Sequence, residues 1–192
     1  MPVSQRKISS GFTLIELVIG IMVFAIAISL FLSLIVPQAR RSVDPMLQVR
    51  ASELAQSLMS EIASKAFDEN SSRHGGTSRC NENSNNCTVS RLLGEDLGES
   101  RNTYNDVDDY NGLNESGAII QNSLGASISL DGSLLYEGFS AQVSVYYDDD
   151  MDGIDDAITG GPNNIGNTKL IRITVTTPTG ENIIFSSYRS NY

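Results

Sequence analysis

From Phe12 to Val36 the chain is an apolar run interrupted by one ionisable side chain, Glu16. As a helix rising about 1.5 Å per residue, the run would reach ~37 Å, enough to cross a bilayer with some tilt. A segment this long and apolar must sit in lipid or pack all round against other helices. A carboxylate inside it costs a few kcal/mol or more. Glu16 therefore calls for a cation that the rest of the segment does not supply.

The flanks narrow the choice. Arg6 and Lys7 precede the run, and Arg40 and Arg41 follow it. The acidic, cysteine-bearing bulk comes after it, which places the N-terminus in the cytoplasm and the head outside. A cleaved secretory signal has an apolar core of about 7–15 residues closed by a small-residue cleavage site. Here the core is longer and no such site closes it. A plain signal anchor accounts for the length and the flanks but gives no reason for Glu16.

Pro37 either kinks the helix or marks its passage from lipid to water. Beyond it Val43, Leu47, Ala51, Leu54, Leu58, Ile62 and Ala66 recur at spacings of three and four, with charged residues between them. That is an amphipathic helix with one buried face. The expected helix covers residues 12–67, transmembrane over 12–36 and one-sided afterwards, with Pro45 a second weak point. Residues 68–117 are rich in Asn, Ser, Gly, Asp and Glu and read as loop. Alternating strand signals follow at 126–130, 139–147, 169–177 and 181–188, the last two joined by Pro178-Thr-Gly180. The fold expected is α+β: a long N-terminal helix, transmembrane then amphipathic, packed on a C-terminal antiparallel sheet head (68–192) with long loops.

Charge excludes one class of partner. Residues 1–67 carry six basic side chains against four acids, while residues 68–192 carry seven against nineteen. So acidic a head is no nucleic-acid surface, which would need to be basic. Cys80 and Cys87 flank a polar stretch. Two thiols are too few for a metal site, so a short disulfide loop in an oxidising compartment is the favoured reading, with two free thiols as the alternative. No enzyme is expected: His74 stands alone in a polar loop, and no nucleophile-elbow, phosphate-loop or dinucleotide motif is present.

Asp148 to Asp156 holds six carboxylates in nine residues. Read as D-x-D-x-D-G, it sets Asp148, Asp150 and Asp152 at alternate positions before Gly153. A calcium loop offers oxygens in that way, with the Ile154 carbonyl and Asp155 or Asp156 closing the shell. The loop is similar to those of thrombospondin type 3 and dockerin-like repeats. It departs from the EF-hand pattern, since the twelfth position is Thr159 and no helix-forming sequence precedes it. The alternative is a solvated acidic turn. Asp106, Asp108 and Asp109 form a second cluster, read first as capping a turn before Asn111-Gly112 and otherwise as sharing or forming a cation site.

Gly11-Phe-Thr-Leu-Ile-Glu16-Leu-Val, with its basic leader and long apolar helix, resembles the processing and assembly motif of type IV prepilins and type II secretion pseudopilins. The resemblance implies a leader over residues 1–11 and cleavage by a prepilin peptidase between Gly11 and Phe12. It also implies methylation of the new Phe12 amine by a methyltransferase, and assembly with other pilin subunits through Glu16. The subunit would wait in the bacterial inner membrane as a single-pass protein with a periplasmic head, then enter a pilus at the cell surface. Ala66-Phe-Asp-Glu-Asn-Ser71, the cysteine loop and Asp106-Val-Asp-Asp-Tyr-Asn-Gly112 look like minor pilins of the mannose-sensitive haemagglutinin (MSHA) pilus system, which serves surface attachment. Three other readings stand beside it: a type II secretion pseudopilin, a tip adhesin whose acidic loops present calcium-dependent contacts, and a signal-anchored calcium-binding envelope protein that does not polymerise.

Overall fold

The computed structural model describes residues 11, 13–41, 44–72, 78–82 and 85–191. The leader through Ser10, Phe12, Val43 and His74 lie outside the described residues. The chain divides into two compact units, Met1–Pro45 and Met46–Tyr192.

The first unit is built on α1, Leu14–Arg41. Its Leu14–Ser33 stretch has 20 residues, a mean hydropathy of 2.7 and none of it buried within the protein. Among the described residues it is the one helix long and apolar enough to cross a membrane. Over Leu14–Ser33 its Ile, Leu, Val and Phe side chains face outward all round. Only an external apolar partner, lipid or other helices, can take them from water.

α2, Asp44–Ala63, opens the second unit's fold. Pro45 lies in its first turn, where a missing N–H donor costs nothing and the fixed φ suits the helix. The expected weak point is thus a helix start. Ala51, Leu54, Ala55, Leu58 and Ile62 are all buried, with Leu47 and Met59 packed beside them. α2 stops at Ala63, short of the expected Phe67. Beyond that point the Ala66 N–H donates to the Asn105 carbonyl, and the Ala66 carbonyl accepts from Val107 N–H at 3.0 Å. The 105–107 segment has taken the backbone groups that another helical turn would need.

Four antiparallel strands form the main sheet in the order β1-β4-β5-β6. They are β1 (Asn114–Ser116), β4 (Ser140–Tyr147), β5 (Thr168–Thr176) and β6 (Asn182–Ser190). Val143 stands opposite Ile173, Val145 opposite Ile171, and Tyr147 opposite Lys169. The alternation sends Val143, Val145, Ile171 and Ile173 into one core with the buried face of α2 and with Tyr104, Val107, Tyr110 and Phe139 from the connecting loops, while Tyr147 enters a second cluster. Each fully buried Val, Ile or Leu contributes about 1.5–3 kcal/mol.

Two local differences from the sequence reading have simple causes. The strand expected over 126–130 is reduced to β2 (Ser129–Leu130), paired with β3 (Ser133–Leu134). Asp131 and Gly132 both have positive φ, 49° and 80°, and make the two-residue hairpin turn. β1, in the expected loop, carries no apolar alternation. It pairs with Ser140–Gln142 through backbone and buries Glu115.

Candidate functional site

At the N-terminal end, Thr13 precedes α1 and its hydroxyl accepts the Glu16 N–H at 3.3 Å. Thr13 is therefore the N-cap, and Thr13-Leu-Ile-Glu16 has the spacing of a capping box, with glutamate at the third helical position. A negative charge there also suits the helix dipole. The sequence reading gave Glu16 an assembly role alone; the T-x-x-E spacing was the signal for this second, local role. Gly11 is exposed ahead of it. Phe12 lies outside the described residues, so the Gly11–Phe12 bond is located by sequence alone.

The acidic loop between β4 and β5 folds back on the sheet's outer face. Asp148 is fully buried; Asp150 and Asp152 are exposed. One carboxylate oxygen from each lies within 4.8 Å of the others. Met151 and Gly153 have φ of 59° and 81°, and this left-handed backbone turns the loop tightly enough to gather them. Asp148 accepts the N–H groups of Asp152 (3.0 Å) and Gly153 (2.9 Å) and the Tyr188 hydroxyl (2.9 Å). The Gly153 carbonyl accepts from the Tyr146 hydroxyl and from Arg172.

The two expected closing carboxylates, Asp155 and Asp156, are engaged in other hydrogen bonds. Asp155 accepts the Ala157 N–H at 2.9 Å, and Asp156 accepts the Asp149 N–H at 2.9 Å. Asp149 in turn accepts from Asn167 and Thr168. Ile154 has an exposed side chain, and its N–H donates to Asp152 at 2.7 Å. The tertiary structure thus gathers three of the carboxylates as a ligand group and employs the other three in closing the loop. The Asp150 carboxyl is raised above its ordinary value, by desolvation first and then by the Asp152 and Asp156 charges, even against the Asp152 N–H that it accepts.

Cys80 and Cys87 form a disulfide with Cα atoms 4.7 Å apart. Both are buried in a second core with Phe67, Leu93 and Tyr147. The Asn191 side-chain amide donates to the Cys80 carbonyl at 3.0 Å, tying the loop to the end of β6.

The second acidic cluster does cap its turn. Asp106 accepts the N–H groups of Asp108 and Asp109, and Asp109 accepts those of Asn105 and Asp106. It is also the wall of a buried ionic centre that the sequence reading missed. Lys169, on β5, has no exposed side-chain surface; its Nζ lies 2.6 Å from Asp108 Oδ1 and 3.5 Å from Asp68 Oδ2. It also donates to the Phe67 carbonyl at 2.7 Å, and it stands 4.4 Å from the Phe67 ring centre and 5.4 Å from that of Tyr147. Burial, then the charges of Asp108 and Asp109, push the Asp106 carboxyl up to about 8. Burial likewise raises Asp108, against the pull of Lys169. The readable signal was period two: position 169 shares the inward face with Ile171, Ile173 and Val175.

A second hidden network joins α2 to the loop. Arg101 pairs with both oxygens of Glu61 and lies 3.3 Å from Glu115 Oε1, while the Tyr110 hydroxyl donates to Glu61 at 2.7 Å.

Residues 6–32 match the family model of the prokaryotic N-terminal methylation motif. No curated protein and no solved structure matches the chain. The motif indicates a precursor of the type IV pilin or pseudopilin kind, processed by a prepilin peptidase and assembled with other pilins. With α1 it marks a membrane-anchored, pilus-associated protein.

Proposed function

We propose that the chain is the precursor of a minor pilin, most similar to the D-type minor pilin of an MSHA-type pilus used in surface attachment. The observation that carries the reading is the methylation motif over residues 6–32, running into a 20-residue apolar stretch without a buried residue. The peptidase cuts between Gly11 and Phe12, a methyltransferase modifies the Phe12 amine, and the mature subunit waits in the inner membrane with its head in the periplasm. In the fibre, neighbouring apolar helices replace lipid around α1. Glu16 then meets the positive N-terminus of an adjacent subunit, which offsets the cost of burying its carboxylate. The chain's chemistry is polymerisation, not catalysis.

Intact-mass measurement tests the processing: loss of Met1 to Gly11 with one added methyl is expected, and a retained leader refutes the proposal in favour of a signal-anchored envelope protein. The capping box makes the choice of Glu16 variant matter. Glu16→Gln keeps a side chain that suits the third helical position but removes the charge; Glu16→Val removes both. Both variants are expected to insert in the membrane and fail to assemble. Normal assembly of Glu16→Gln would reduce Glu16 to a helix cap.

A structural calcium ion at Asp148, Asp150 and Asp152 is part of the proposal, supported by their convergence within 4.8 Å. Such a site takes six to eight oxygens, so carbonyls and water would complete the shell. Calcium should raise the melting temperature of the chain, and chelator should return it. An Asp150→Asn, Asp152→Asn variant should lose that response; a wild type that melts alike with and without calcium excludes the ion.

A further inference from the structure

We propose that Lys169 and Asp108 are joined by an isopeptide bond that the folded chain forms by itself, Lys169 Nζ condensing with Cγ of the Asp108 carboxyl and releasing one water.

The geometry supplies each part of the reaction. The nucleophile is an amine with no exposed surface, 2.6 Å from an Asp108 oxygen and under the rings of Phe67 and Tyr147. A buried ion pair is costly in such a place, and the attacking species is the neutral amine left once a proton has passed to the carboxylate. The electrophile, Asp108, is held by the turn whose N–H groups Asp106 and Asp109 accept. Two further carboxyls flank the reacting pair. Asp68 is fully buried, 3.5 Å from Nζ, and fixed by the N–H groups of Asn70 and Thr88. Asp106 accepts the Asp108 N–H at 3.0 Å, which sets it beside the reacting carboxyl, and burial pushes its own carboxyl up to about 8.

The steps balance. A proton passes from the ammonium to the Asp108 carboxylate, leaving amine and acid. The nitrogen lone pair attacks Cγ and the C–N bond forms. Asp68 takes a proton from the nitrogen, and Asp106 gives its proton to the departing hydroxyl, which leaves as water. Asp68 and Asp106 hold one proton between them before and after. No oxidant, reductant or co-reactant is needed. Holding amine and carboxyl in contact in a water-poor site supplies the effective concentration that a free amine and acid lack. The product is a neutral amide, which removes the cost of a buried ion pair. The bond would tie β5 to a turn 61 residues earlier, a covalent staple that reductant cannot open. It does not depend on the pilin reading, since an envelope protein that never polymerised would carry the same bond.

The test is the mass of the full chain, purified in detergent and measured after reduction of Cys80–Cys87. The expected value lies one water below that of the unmodified polypeptide, whether or not the leader has been removed. Digestion should give one branched peptide joining the segments of Lys169 and Asp108, with trypsin unable to cut after Lys169. Asp108→Ala should restore the full mass and the cut. Asp106→Asn, whose amide still accepts the turn's N–H groups, should lower the condensed fraction at least tenfold. A wild-type chain of full mass with Lys169 free overturns the proposal, as does a branch at Asp68. An unchanged fraction in Asp106→Asn overturns the acid role of Asp106. The wild-type peptide map decides the bond even if a variant fails to fold.

Discussion

Replacing Arg101 with methionine removes the cation that two buried carboxylates share. The side chains of Arg101, Glu61 and Glu115 are only 9%, 11% and 8% exposed. Glu61 lies on α2 and Glu115 on β1, so the loss falls where the helix meets the head. The guanidinium also lies 5.1 Å from the Tyr110 ring centre and 5.9 Å from that of Tyr104, contacts that methionine replaces only in bulk. An exposed ion pair would be worth about 0–1 kcal/mol. Stranding a buried charge costs about 3–5 kcal/mol. For a domain of this size that is roughly 10 °C in melting temperature.

The pH dependence distinguishes an electrostatic loss from a packing loss. Burial works to raise the Glu61 carboxyl, but the hydrogen bonds from Arg101 and Tyr110 and the Arg101 charge outweigh it and hold it below 4.5. A depressed folded value gives stability that is present above the unfolded value and lost as pH falls through the folded one. Without Arg101 the depression disappears, burial dominates, and protonation relieves the variant. Glu115, already raised by burial, gains from acid in the same way. Denaturant unfolding of wild type and variant at neutral pH and near pH 4 should therefore show a gap that narrows on acidification. Adding Glu61→Gln to Arg101→Met should recover at least half the loss at neutral pH, since the amide accepts the Tyr110 hydroxyl without a charge. A neutral-pH cost under about 1 kcal/mol, or a gap of equal size in acid, would refute the reasoning.

Leu58 is 2% exposed on the face of α2 that meets the sheet; Leu58→Ala should cost about 2–5 kcal/mol in denaturant unfolding. A cost under 1 kcal/mol would mean that α2 does not pack as described. Cys80→Ser with Cys87→Ser opens a bridge of sequence separation 7. The short loop makes the chain-entropy loss about 2–3 kcal/mol, and reductant should then leave the variant's melting temperature unchanged while lowering that of the wild type.

The legible parts of the molecule share one property: each is written in a local repeat. The apolar run, the three- and four-residue spacing of α2, the period-two strands β4, β5 and β6 and the Pro178-Thr-Gly180 turn all appear where their patterns place them. Glu16 was conspicuous for the same reason, as the one charge in an unbroken run. Cys80 and Cys87 were readable as a pair because only two cysteines exist and one short loop holds both. β1 was not legible, because three residues that pair through backbone leave no side-chain rhythm.

What the sequence determined by itself was the one-dimensional content: a membrane-grade helix with a cleavage and assembly motif, an amphipathic helix, and the three long strands of an antiparallel sheet. What only the tertiary structure decided is which distant charges meet. Lys169 with Asp68 and Asp108, and Arg101 with Glu61 and Glu115, are separated by 14 to 101 residues along the chain. Nothing local marks these partners. A buried charge is tolerated only where folding brings an opposite charge or a hydrogen-bond donor within contact, and the chain path that does so is set by the packing of α2 on the sheet. The acidic loop shows the same division. Six carboxylates were visible as a cluster, but the backbone turn at Met151 and Gly153 decided which three converge and which three hold the loop shut.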